Sequence, residues 1–97
     1  GVARLIKTRL MDGTMSEYLK QLKVQLVGKV PGVRFHDISP LELSIAREGF
    51  PEVRIRDEKD HVVVRIENQV YKYDKWYTKP EHLAETLKVY YMKQSSA

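Results

Sequence analysis

The stretch "EVRIRDEKDHVVVRIENQVYKYDKWY", residues 52–77, decides how this chain folds. It contains three runs rich in β-branched and aromatic residues, separated by two short polar links. This is the pattern of antiparallel strands joined by hairpins. The first link is Asp57-Glu58-Lys59-Asp60. The second is Asn68-Gln69, where asparagine tolerates the positive φ that a tight hairpin turn demands. A two-residue loop at 68–69 places Ile66 opposite Tyr71, Val64 opposite Tyr73 and His61 opposite Trp76. A four-residue loop at 57–60 places Ile55 opposite Val62 and Val53 opposite Val64. Opposite residues share a face, so both hairpins send Val53, Ile55, Val62, Val64, Ile66, Tyr71 and Tyr73 to one core side. A slip of one residue would turn all of them outward.

The same pairing predicts three rows on the other face: Glu52 with Arg65 and Lys72, Arg54 with Val63 and Asp74, and Arg56 with His61 and Trp76. Four cations stand there against Glu52, Glu67 and Asp74, which suits cross-strand pairing. A phosphate-binding sheet requires a field of one sign, because neutralising phosphates and releasing their counterions drives binding. Within this stretch only Trp76 is left unexplained by folding. An outward Trp often anchors a contact surface, so Arg56, His61 and Trp76 form a candidate partner-binding patch.

Before this stretch, Met15, Tyr18, Leu19, Leu22 and Leu26 recur at helical spacing. Thr14-Met15-Ser16-Glu17 fits a capping box, predicting a helix over residues 15–27 stopped by Gly28. Pro31-Gly32 then marks a turn before a strand at "VRFHDI", residues 33–38. Residues 40–46 carry two signals: Ser39-Pro40-Leu41-Glu42 fits a capping box, yet "LELSIA" alternates like a strand, and the strand is preferred. After the stretch, Thr78-Lys79-Pro80-Glu81 fits a third capping box. It opens a helix with Leu83, Leu87, Tyr90 and Tyr91 on one face, ahead of a frayed tail at 94–97. The expected fold is α+β: an antiparallel sheet of four to five strands with an N-terminal and a C-terminal helix on one face. Residues 1–13 read as a basic arm or short helix ahead of a single domain at 14–93. Met11 or Met15 could be a natural start, in which case part of that arm is not native.

The order helix, strands, helix resembles that of double-stranded RNA-binding domains. The basic start of their final helix has no counterpart in "TKPEHLAE", and four or five strands suit this chain better than three, so the chain is not assigned to that family.

Composition bounds the function. Ninety-seven residues with 42% hydrophobic and 31% charged content fit one globular domain. No apolar run reaches the roughly 18 residues of a membrane span, so no membrane partner is expected. Absence of cysteine excludes disulfides, a thiol nucleophile and thiolate metal sites, and fits the expected cytoplasmic location. The net charge of +4 is unevenly placed: residues 1–34 hold seven basic and two acidic side chains, the remainder ten and eleven. Arg4, Lys7, Arg9, Lys20, Lys23 and Lys29 are therefore the candidate nucleic-acid-binding set. The competing view is that these cations only solvate polar helix faces.

His36-Asp37, Asp60-His61 and Glu81-His82 invite an acid–base reading, but neighbours on a strand point to opposite faces, and three scattered histidines make a poor zinc site. No P-loop, dinucleotide fingerprint or nucleophile elbow is present. No catalytic residues, metal or cofactor are expected. The expected function is a small non-enzymatic binding module, with nucleic-acid backbone binding slightly preferred. The alternative is a protein–protein adaptor or inhibitor using the sheet face around Trp76, with homodimerisation through an edge strand also open. A small metal-free ribonuclease using His61 or His82 ranks third.

Overall fold

The computed structural model describes residues 15–96. Their order is α1 (Glu17–Lys29), β1 (Arg34–Ser39), β2 (Glu42–Ala46), β3 (Val53–Asp57), β4 (His61–Ile66), β5 (Gln69–Asp74) and α2 (Pro80–Ser96). The five strands form one antiparallel meander in the order β1-β2-β3-β4-β5. Both helices pack on one face, as the alternation of apolar residues requires. Within residues 40–46, Pro40 and Leu41 form the turn and Glu42–Ala46 settle as strand, since Leu43 and Ile45 point into the core and pair with Ile55 and Val53.

The helix boundaries differ from the expected ones for local reasons. Ser16, not Thr14, caps α1, its hydroxyl accepting from the Leu19 N–H at 3.3 Å. The Ser16 N–H donates to the Pro40 carbonyl at 2.8 Å, tying the helix start to the β1–β2 turn. Gly28 does not stop α1. The helix ends at Val30, which is extended (φ −127°, ψ 103°) because a residue before proline is driven out of the helical region. In α2 the capping pair sits one residue later than expected. The His82 Nδ1 accepts from the Lys79 N–H at 3.1 Å, the reach-back role a glutamate fills in a capping box. Leu19, Leu22 and Leu26 of α1 and Leu83, Ala84, Leu87 and Tyr91 of α2 close over Leu43, Ile45, Val53, Ile55, Val62 and Val64. Phe50, Tyr90 and Tyr91 pack edge to face at one end, with centroids 4.9–6.2 Å apart.

Both expected hairpins form, each displaced by two residues. The β4–β5 loop is Glu67-Asn68, pairing Ile66 with Gln69, Val64 with Tyr71, Val62 with Tyr73 and His61 with Asp74. The β3–β4 ladder runs further than expected, pairing Asp57 with Val62 and Arg54 with Arg65. The loop shrinks to Lys59-Asp60, closed by the Glu58 N–H donating to the His61 carbonyl at 2.8 Å. Because side chains alternate with period two, a shift of two changes every partner but no face. Val53, Ile55, Val62 and Val64 are buried as expected, and Ile66 and Tyr73 are half-buried. Tyr71 lies on the core side yet stays exposed, because β5 is an edge strand.

Candidate functional site

The face of the sheet opposite the helices carries no covering element among the described residues. Two adjacent rows cross its middle. One runs Ser44, Arg54, Arg65, Val70; the next runs Glu42, Arg56, Val63, Lys72. The expected rows are thereby replaced. Arg65 stands opposite Arg54 instead of Glu52, and Lys72 opposite Val63. His61 stands opposite Asp74, while Trp76 lies beyond the end of β5.

Among the described residues, charge compensation on this face is confined to the β2–β3 side. Arg54 meets Glu42 at 3.5 Å and Glu52 at 3.3 Å, and Arg56 meets Glu42 at 3.4 Å and Glu58 at 3.7 Å. The Ser44 hydroxyl also donates to Glu52. That bond, followed by the Arg54 guanidinium, holds the Glu52 carboxyl below its ordinary range. On the β4–β5 side, Arg65 and Lys72 have no ion-pair partner among the described residues. Shallow grooves run along both flanks of Arg65, one beside Glu52 and Glu67, the other beside Val63 and Arg56.

Trp76 lies in the turn between β5 and α2 and is 75% exposed, with Tyr77 beside it at 77%. The turn is held from several sides. The Asp74 carboxylate accepts from the Trp76 N–H at 2.7 Å, and the Asp74 carbonyl accepts from the Thr78 N–H at 2.8 Å. The ammonium of Lys75 reaches back to Asp57 at 2.5 Å and donates to the Glu58 carbonyl at 3.0 Å. The Tyr18 hydroxyl donates to the Thr78 carbonyl at 2.7 Å. Burial, reinforced by the Asp57 carboxylate, pushes the Tyr18 phenol up to about 12. α1, β3 and the Trp76 turn therefore share one clamp. Lys79 sits over the Trp76 ring with its ammonium 5.4 Å from the centroid. A shallow cleft beside the ring is lined by Lys59, Asp60, His61, Asp74 and Lys79.

Of the candidate partner-binding residues, His61 and Trp76 thus line one cleft, whereas Arg56 lies apart on the outer face between Glu42 and Glu58. Of the candidate nucleic-acid set, Arg4, Lys7 and Arg9 lie outside the described residues. Lys20 is exposed on α1, Lys23 pairs with Asp37 at 3.0 Å and Lys29 pairs with Glu85 at 3.2 Å. Lys29 lowers the Glu85 carboxyl, chiefly by its hydrogen bond. These are exposed pairs of small energetic weight, but they set an acid beside two of the three cations. His36 faces the outer side of β1, and His82 caps α2. Among the described residues no three His, Asp or Glu side chains gather as metal ligands, and no helix is long and apolar enough to cross a membrane.

Sequence reasoning missed Arg65, Lys79 and the Asp57–Lys75–Tyr18 clamp. The first depended on the register, and the clamp joins residues 39 to 57 positions apart along two of its sides. Lys79 was legible as a neighbour of Trp76 three positions on. Comparison of the chain with protein-family models, with curated proteins and with solved structures finds no match.

Proposed function

We propose that this chain is a non-enzymatic protein-binding module, working through the uncovered face of its sheet and the Trp76 corner beside it. The observation that carries this reading is Trp76 itself: a ring three-quarters exposed on a turn tied to β3 and α1. Interface hot spots are enriched in Trp, and a turn whose backbone is already held loses little freedom on binding. The mixed charge of the neighbouring face suits a protein surface better than a phosphate backbone. The phosphate-binding reading of the N-terminal cations has less support, because Lys23 and Lys29 each stand beside a carboxylate.

Selection of a phage-displayed random peptide library on the full chain tests the proposal. Peptides should enrich that bind Trp76→Ala at least about tenfold more weakly. The stability of that variant should stay within about 0.5 kcal/mol of the parent, as for other exposed substitutions. If no peptide enriches, or the enriched peptides bind the variant equally well, the reading fails.

A further inference from the structure

The central guanidiniums of the outer face carry the argument further. Arg54 and Arg65 are direct cross-strand partners, and like charges directly opposite each other are unfavourable. Arg54 is drawn away by Glu42 and Glu52. Arg65 is left with a cationic neighbour and no carboxylate within ion-pair distance among the described residues. Lys72 lies diagonally across from it, and half-buried Val63 and half-exposed Val70 lie beside them. A planar guanidinium next to apolar surface favours a carboxylate held by two parallel hydrogen bonds.

We infer that Arg65, assisted by Lys72, is the recognition point for an acidic segment of a protein partner lying along β4 and β5. This rests on the protein-binding reading above and names the chemistry of the partner. The spacing supports an extended segment. Diagonal cross-strand neighbours stand roughly 7–8 Å apart, close to the roughly 7 Å between alternate residues of an extended chain. Two carboxylates, two residues apart, would therefore reach Arg65 and Lys72 together. A phosphate polymer fits less well. Glu42, Glu52, Glu58, Glu67 and Asp74 surround the site and would repel a continuous line of charge, whereas a short acidic segment meets only the two uncompensated cations.

Fluorescence anisotropy with the full chain provides the test. The probes are a labelled octapeptide of alternating Glu and Ser, its Gln–Ser analogue, and an oligothymidylate of eight nucleotides. The Glu peptide should bind at least about tenfold tighter than the Gln peptide. Arg65→Gln should erase that margin, Lys72→Gln should reduce it, and Arg34→Gln at the β1 edge should leave it intact. Arg65→Lys should keep only part of it, because the charge remains but the fork is lost. Equal binding of the two peptides overturns the inference, as does a margin that survives Arg65→Gln. An oligothymidylate that binds tighter than the Glu peptide and depends on Arg65 also overturns it, assigning the face to nucleic acid. If Arg65→Gln fails to fold, Lys72→Gln decides in the same way. The two proposals fail separately. Library peptides that need Trp76 while the Glu margin ignores Arg65 leave the protein-binding reading standing and end this one. An Arg65-dependent Glu margin with library peptides indifferent to Trp76→Ala supports the acidic-segment assignment and removes Trp76 as its anchor.

Discussion

Glu67 carries the one unusual backbone angle among the described non-glycine residues, φ 55°. A residue with a Cβ pays about 1–2 kcal/mol in this left-handed region. The turn at Glu67-Asn68 ends the ladder at His61 and Asp74, and Lys75, just beyond it, reaches Asp57. Glycine adopts the angle without strain but gives up roughly 0.5–1 kcal/mol through the entropy of the unfolded chain. Glu67→Gly should therefore stabilise the domain by about 0.5–1 kcal/mol, raising Tm by roughly 2–8 °C. A thermal melt unchanged or lowered by this substitution would contradict the assigned turn. Reading asparagine as the first turn residue followed a sound propensity, but the positive φ falls one position earlier, on Glu67.

The elements are joined at one corner by the Asp57–Lys75 pair. Asp57 is 7% exposed and ends β3, while Lys75 opens the turn carrying Trp76. Removing one partner of a buried pair strands the other charge, at a cost of roughly 3–5 kcal/mol when burial is deep. Lys75 is partly exposed, so Lys75→Met should cost about 2–3 kcal/mol in urea unfolding. In an Asp57→Asn background the same change should cost less than half as much, since no charge is then stranded. Equal costs in both backgrounds would mean that the pair is not coupled. At this scale much was legible: two helices, the strands and their core faces follow from periodicity, capping residues and turn signals. Residues 40–46 were ambiguous locally. Pairing of Leu43 and Ile45 with β3 resolved them, an interaction a single segment does not contain.

For the molecule as a whole, alkaline pH probes the packing of helices on sheet. Burial pushes the phenols of Tyr18 and Tyr91 up to about 12, from an ordinary value of 10.0. Above pH 10 the unfolded chain gives up these protons more readily than the folded one. The stability linked to them is complete below pH 10 and is lost as pH rises towards 12. The urea midpoint should hold up to about pH 10 and then fall, and the part of the tyrosinate absorbance that belongs to the buried rings should rise in step with unfolding. Tyr91→Phe should make the fall shallower. A midpoint unaffected up to pH 12 would show that these rings are not sequestered as described.

By itself the sequence determined which side chains face the core. The alternation of valine, isoleucine and tyrosine in residues 52–77 survives any even shift in pairing, so the inner face was correct although both hairpins were displaced by two residues. The tertiary structure alone decided which charges meet. An even shift leaves faces intact but exchanges every cross-strand partner. It moved Arg65 from beside Glu52 to beside Arg54, Lys72 from Arg65 to Val63, and Trp76 off the strand into a clamped turn. Burial is governed by parity, which a short stretch encodes. Pairing is governed by register, which brings together groups that no short stretch contains, as with Asp57 and Lys75, 18 positions apart.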